Sequence, residues 1–372
     1  MKNTPPPRYR FDTQLVKKQR SSNLELYRII CMMMIVAHHF VLCSGLTVPG
    51  GPLNEGVFSA NSLFLRLFGM WGKVGINCFV MITGYFMCES KITLKKWLKL
   101  LLEIYFYKVS IYIVFAVAGF YTISLRSIVN LILPINSLQK NFSDCFIVFY
   151  LTIPFWNILV HNMTKKQHQL LLLLLLFCYT LMGSIPSFDI DFNYISWFGV
   201  IYLMASYIRL HPTKLFNDRH RWGWITLALV IISMCSVAYI HWKTFAGYFF
   251  VSDSNKILAV LVAVSSFLWF RNLEIRQSKF INTVAASTFG VLLIHSGSGS
   301  MMKWLWEDLF NVSAHFTLPT IQLILYSVSV VLVVYSACTI IDHLRIRLLE
   351  KPFFDWYDKR LEYKINKKIK AE

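Results

Sequence analysis

The chain has 372 residues, of which 56% are hydrophobic and only 15% are charged, whereas about 25% of residues are charged in an ordinary soluble domain. Too few polar side chains remain to cover a water-facing surface, so the composition excludes a soluble globular protein and a disordered one. It predicts an integral membrane protein with several spans. The net charge of +18 fits either nucleic-acid binding or basic cytoplasmic loops, and the placement of the charges decides between them.

Residues 1–23 are polar and basic, and this composition predicts a disordered cytoplasmic tail. Ten apolar runs follow this segment. We expect an all-α transmembrane domain over residues 24–343 and a basic cytoplasmic tail over residues 344–372. The runs 72–88 and 257–270 are short for the ~20 residues that cross a bilayer, so we expect their helices to extend into the flanks. The predicted spans are about 24–45, 72–88, 98–122, 143–160, 169–184, 193–209, 222–240, 257–270, 282–299 and 319–341.

The basic residues alternate between the two sides of these spans. With the N-terminus inside, 28 of the 37 Lys and Arg residues fall on inside segments and six on outside segments. This bias predicts that both termini are cytoplasmic, in a multi-pass protein of the cell membrane (inner or plasma). It also accounts for the net charge without a nucleic-acid partner. The eight cysteines show no metal-ligand spacing, so no metal is predicted.

The first span contains ionisable residues that are costly in a bilayer, at ~2.5–3.5 kcal/mol each. Arg28 and His39 are eleven positions apart, which separates them by only ~20° in azimuth and ~16 Å along a helix. They therefore share one helix face, whereas His38 is rotated by ~80°. Glu25 lies one turn before Arg28, at the spacing of an ion pair.

His295, in the ninth span, is predicted to lie at a depth similar to that of His39, since both are about 20 Å from the inner ends of their spans. Imidazole exchanges a proton near neutral pH and is the commonest general acid–base in enzymes. The remaining polar residues within spans are interpreted mainly as partners in interhelix hydrogen bonds. They are Asn77, Glu103, Lys108, Asp144 and Asp342.

Four segments in this order resemble the membrane acyltransferase family 3 over residues 20–355. The first is an Arg, ten residues and a His, here Arg28 and His39, after the lead-in at Asn23. The other three resemble the family's glycine-containing segment of the second span, its late Ser-x-Gly-apolar-His element and the segment that follows its last span. They lie at residues 72–85, 287–295 and 345–352.

The resemblance implies transfer of an acyl group, most often acetyl, from cytoplasmic acyl-CoA to a hydroxyl of a surface carbohydrate or its lipid-linked precursor. Arg28 would orient the pantetheine or phosphate end of the donor. His39 would act as general base or carry the acyl group, and His295 would be an oxyanion donor or would orient His39. Weaker candidates for donor or substrate binding are His38, Lys73, Asn77 and Glu25.

The predicted partners are thus acyl-CoA as co-substrate, a carbohydrate or lipid-linked glycan acceptor and membrane lipid, with no bound cofactor. The alternative interpretation is a secondary transporter or exporter with an intramembrane His/Arg relay. Transporters commonly contain internal repeats, and none is visible in this sequence. An inactive relative of the family is a third interpretation.

Overall fold

The computed structural model describes residues 21–54, 58–120, 123–132, 142–188, 190–244 and 247–369, and this part of the chain contains helices and no β-strand. The tail predicted as disordered lies outside the described residues as far as residue 20, and helix α1 already begins at Ser22. The α-helices are α1 (Ser22–Leu42), α2 (Ala60–Gly69), α3 (Gly72–Met87), α4 (Leu94–Val117), α5 (Leu125–Ile132), α6 (Phe142–Asn162), α7 (Lys165–Leu175), α8 (Tyr194–Leu210), α9 (Arg219–Thr244), α10 (Ile257–Arg271), α11 (Lys279–Ala286), α12 (Thr288–His295), α13 (Gly299–Lys303), α14 (Thr320–Arg345) and α15 (Lys351–Ile369).

Seven helical stretches in the described part are long and apolar enough to cross a membrane, and an eighth is formed if the bent pair Lys279–His295 and Gly299–Leu309 is one span. Two shorter apolar helices, α8 and α10, occupy two further predicted positions. The helix predicted over the short run 72–88 extends toward the N-terminus as expected, because α2 and α3 together form the stretch Ala60–Met87. The helix over the short run 257–270 does not extend in this way, since α10 has 15 residues. The count of ten spans and the cytoplasmic termini stay predictions.

Helix α1 lies at the centre of the bundle and contacts α2, α3, α10, α11, α12 and α14. One core cluster joins it to α3, α6, α8 and α10, and a second joins it to α4, α12 and α14. In an 18-residue apolar stretch of α1, 61% of the residues are buried, whereas 17% are buried in the corresponding stretch of the peripheral helix α9. The outward side chains of α9 are largely aliphatic and aromatic, as expected for a lipid-facing surface.

Two of the polar residues expected to link helices contact different neighbours. Glu103 of α4 accepts from Arg345 of α14 at 3.1 Å, and the same guanidinium pairs with Asp342 at 2.8 Å. Lys108, further along α4, forms an ion pair with the buried Asp144 of α6. The interhelix interpretation is confirmed for these residues, and each buried charge meets an opposite charge.

The ninth predicted span is broken directly after His295. The chain bends by 95° between Lys279–His295 and Gly299–Leu309. The sequence at the break alternates Ser and Gly (residues 296–299), and these residues favour turns and helix ends over helix interiors. Ser298 then caps α13 by accepting from the backbone N–H of Met301 at 3.1 Å. His295 is therefore the last residue of a helix, at the edge of a turn.

Candidate active site

A cavity of about 340 Å³ lies in the half of the bundle in which α1 terminates. It extends from the middle of α1 to its last turn. It is also bounded by the end of α12, by the first half of α3 and by the first residues of α6 and α8. Its volume is within the range of small-molecule sites. The lining residues are Met32, Ile35, His38, His39, Gly72, Lys73, Ile76, Phe79, Phe142, Ser143, Tyr194, Leu292, Leu293, Ser296, Gly297 and Met302.

Two histidines from different helices meet at the wall of this cavity. His39 Nδ1 lies 2.9 Å from His295 Nε2, which is hydrogen-bond distance. His39 is partly exposed and lines the cavity, whereas His295 is fully buried behind it. The sequence predicted only that His39 and His295 lie at a similar depth, and the structure places their rings in direct contact.

The hydrogen bonds of this pair determine which nitrogen of each neutral ring carries the proton. His295 Nδ1 lies 2.6 Å from the carbonyl oxygen of Val291, and a carbonyl can only accept, so Nδ1–H donates. The Nε2 of a neutral His295 then has a lone pair and accepts from His39 Nδ1–H. This leaves the lone pair of His39 on Nε2, which is therefore the atom able to take a proton from a substrate.

His38 lies against the neighbouring helix and is only 8% exposed. Its Nδ1 donates to the carbonyl oxygen of Gly69 at 2.6 Å. A methyl group added at Gly72 would lie 2.2 Å from His38 Cγ, so only glycine allows α3 to approach α1 this closely. The contact places Lys73, the next residue of α3, at the cavity wall beside the histidines.

Arg28 and Glu25 lie at the other end of α1 and do not line the cavity. Arg28 Nη1 pairs with Glu25 Oε1 at 3.3 Å, as the spacing predicted. Two of the lining residues, Met32 and Ile35, lie between Arg28 and His39 on the shared face of α1. The cavity therefore reaches to within one helical turn, ~6 Å along the axis, of Arg28.

Asn77 supports the bundle and, like Arg28, does not line the cavity. It is 1% exposed, and its Nδ2 donates to the carbonyl oxygen of Ser254 at 2.7 Å. Its Oδ1 accepts from Trp197 Nε1 at 3.0 Å. One amide thus joins α3, α8 and the loop before α10, which accords with the interhelix interpretation.

A family model described as an acyltransferase domain matches residues 21–339, a range that includes both histidines and the whole cavity lining. The chain belongs to the membrane acyltransferase family 3. Comparisons with curated proteins and with solved structures gave no match. The membership and the apolar helices identify a multi-pass membrane protein and an acyltransferase, which disfavours the transporter interpretation.

Sequence reasoning did not single out Tyr194, Ser143 or Ser296, which the fold places in the cavity lining. Ser143 and Tyr194 lie in the first turns of α6 and α8, and Ser296 directly follows α12. Serine is common at helix ends for reasons of capping alone, and a single tyrosine at a helix start is not distinctive. The sequence pattern therefore gave no signal that would separate these three from other residues at helix ends.

Proposed function

We propose that this acyltransferase moves an acyl group, most simply acetyl, from acyl-CoA to a hydroxyl of a cell-surface carbohydrate or its lipid-linked precursor. The observation that carries this proposal is the His39–His295 pair at the cavity wall. A neutral imidazole with an oriented partner and a lone pair toward the substrate has the arrangement that acyl transfer to a hydroxyl requires.

His39 Nε2 takes the proton of the acceptor hydroxyl while the hydroxyl oxygen attacks the thioester carbonyl. The tetrahedral intermediate then collapses, the carbon–sulfur bond breaks, and the imidazolium returns its proton to the departing thiolate, which leaves as CoA. His295 accepts from His39 Nδ1–H throughout and so stabilises the imidazolium. In the alternative mechanism, the same Nε2 attacks the thioester and carries the acyl group to the acceptor.

The contacts of His295 favour its role as orienter of His39 over its role as oxyanion donor. One ring nitrogen is used by Val291 and the other by His39, and the side chain is fully buried. No N–H of the neutral ring is left for a substrate oxygen. His295 is accordingly a positioning residue in this proposal.

The donor would enter from the end of the bundle at which α1 begins, where the predicted cytoplasmic Lys and Arg residues cluster. Arg28 lies at that end, on the helix face that leads to the cavity. An arginine can hydrogen-bond a phosphate or the amide carbonyls of pantetheine through its fixed fork of N–H groups. The acceptor would reach the cavity from the opposite end.

The test is acylation of surface glycan, together with release of CoA, in membranes that contain equal amounts of wild-type protein or His39→Ala. We expect the variant to lose activity by ~10²–10⁴-fold, the usual contribution of a general base. His220→Ala is the matched control, since this histidine is exposed at the start of α9, and it should retain full activity.

The outcomes separate the parts of the proposal. Acylation that persists in His39→Ala at the wild-type rate would show that His39 is not the base. CoA release without acylated glycan in the wild type would mean that the acceptor class is wrong. Acyl-enzyme trapped on His39 when no acceptor is present would favour the covalent mechanism.

A further inference from the structure

A second polar cluster lies at the mouth of the cavity and has no part in the proton transfer described above. Lys73 Nζ donates to the hydroxyl of Tyr194 at 2.9 Å and lies 3.3 Å from Asp253 Oδ1. Lys73 and Tyr194 line the cavity, and Asp253 lies in the loop before α10. The Lys73 side chain is 22% exposed and that of Asp253 is 47% exposed. The cluster is thus accessible from the end of the bundle at which α1 terminates.

The loop that carries Asp253 is fixed from two sides. Ser254 accepts from Asn77 of α3, and the Asn255 amide donates to the carbonyl oxygen of Tyr179 at 3.0 Å. The backbone N–H of Ile257 donates to Ser184 Oγ at 2.8 Å. These contacts tie the residues on the C-terminal side of Asp253 to two different parts of the bundle. The carboxylate is therefore pre-organised beside Lys73, as a binding site requires.

The charges of the cluster select the kind of ligand. Among the described residues that line the cavity, Lys73 is the only Lys, Arg, Asp or Glu, and its positive charge is balanced by Asp253. A carboxylate beside the ammonium repels phosphate, which disfavours the anionic end of acyl-CoA. A neutral ligand that both donates and accepts hydrogen bonds matches an ammonium, a carboxylate and a phenol hydroxyl side by side.

We propose that Lys73, Asp253 and Tyr194 form the acceptor subsite and bind hydroxyl groups of a neutral sugar that neighbour the hydroxyl to be acylated. Each sugar hydroxyl donates to the carboxylate or accepts from the ammonium, so adjacent hydroxyls use both groups. Lys73 and His39 line the same cavity, so a sugar held at the cluster presents another hydroxyl to the base. This inference rests on the proposed function and names the acceptor class of that same site.

The experiment compares wild type with Asp253→Asn in steady-state transfer to a neutral oligosaccharide and to its uronate analogue. Asp253→Asn keeps the shape of the side chain but loses a charged hydrogen-bond acceptor. We therefore expect the KM for the neutral oligosaccharide to rise about 10-fold or more. The KM for acyl-CoA and the thermal midpoint of the detergent-solubilised protein should be unchanged. The variant leaves the charge of Lys73 unbalanced, so selectivity should move toward the uronate.

The matched control is Asp358→Asn at the other end of the bundle. It removes a carboxylate that is about as exposed as that of Asp253 and that forms an ion pair with Lys95. It should alter neither KM. A thermal midpoint equal to that of the wild type shows that each variant is folded. An unchanged acceptor KM in Asp253→Asn, or a raised KM for acyl-CoA instead, would overturn the acceptor subsite while leaving the proposed function intact. Failure of the wild type to acylate any carbohydrate would overturn both.

Discussion

At the scale of single residues, the tautomers of the two site histidines decide which atom does chemistry. Val291 fixes the proton of a neutral His295 on Nδ1, and His295 in turn fixes that of His39 on Nδ1. The reactive lone pair of His39 thereby depends on a side chain that substrate need not touch. A backbone carbonyl five positions before the helix break is thus part of the site.

This dependence gives a prediction for His295. His295→Leu should lower kcat by ~10²-fold, because His39 loses its orienting acceptor, while the KM of each substrate is unchanged. His295→Gln keeps a carbonyl oxygen as acceptor and should recover part of the loss. The kcat and KM values of both variants are obtained from CoA release over a range of concentrations of each substrate.

Partial recovery of activity in His295→Gln would distinguish a role of His295 in positioning His39 from a role in core packing. His295 is fully buried, so both variants are expected to alter the thermal midpoint of the detergent-solubilised protein. If the two variants lose activity equally, or if activity follows the thermal midpoint alone, His295 has only a structural role.

At the scale of elements, the close approach of α1 and α3 shapes the cavity. Gly72 lies directly against His38, and Gly75, one turn later, lies against the backbone of α1 at the carbonyl oxygen of Cys31. Small residues at helix contacts allow membrane helices to pack closely without a hydrophobic driving force. The histidines of α1 and Lys73 of α3 are brought together by this contact.

Gly72→Ala should therefore destabilise the protein and reduce activity. The new methyl group would lie 2.2 Å from His38 Cγ, and relief requires His38 or the helix to move, at a cost of about 1–3 kcal/mol. Thermal unfolding and CoA release of the purified protein provide the measurement. Gly299→Ala, where an added Cβ meets nothing within 4 Å, is the control. Equal stability of the two variants would contradict the contact.

At the scale of the whole molecule, the proposed donor and acceptor sites lie apart along the bundle axis. Arg28 lies near the end where α1 begins, whereas the cavity lies in the half of the bundle where α1 terminates and the Lys73 cluster lies toward that end. A bundle with this polarity would allow the acyl group to pass from one side of the membrane to the other. The orientation of the bundle in the membrane then decides which substrate comes from which compartment.

The predicted orientation is tested by single cysteines in a background without the eight native ones. Lys303→Cys, at an exposed position on the predicted outer side, should react with a membrane-impermeant maleimide in intact cells. Lys214→Cys, exposed on the predicted inner side, should react only after permeabilisation. The reverse pattern would show that the termini are outside and that the donor path is inverted.

The sequence determined the features that depend on local pattern. The length and apolarity of the hydrophobic runs predicted the helical membrane fold and the positions of most helices, because the bilayer imposes both on each span. The spacing of Arg28 and His39, together with the later motifs, predicted the family. The ion pair of Glu25 with Arg28 also followed from helix geometry alone.

Only the tertiary structure decided which of these residues share a site. Depth in a span does not specify which helices touch, so the contact of His39 with His295 required the packing of α1 against α12. Asn77, a weaker candidate for substrate binding, lies outside the cavity lining and joins helices. Asp253 and Tyr194 gave no local signal in the sequence, and they border Lys73. The physical reason is that side-chain partners across a bundle are set by long-range packing, which residue spacing along one helix does not encode.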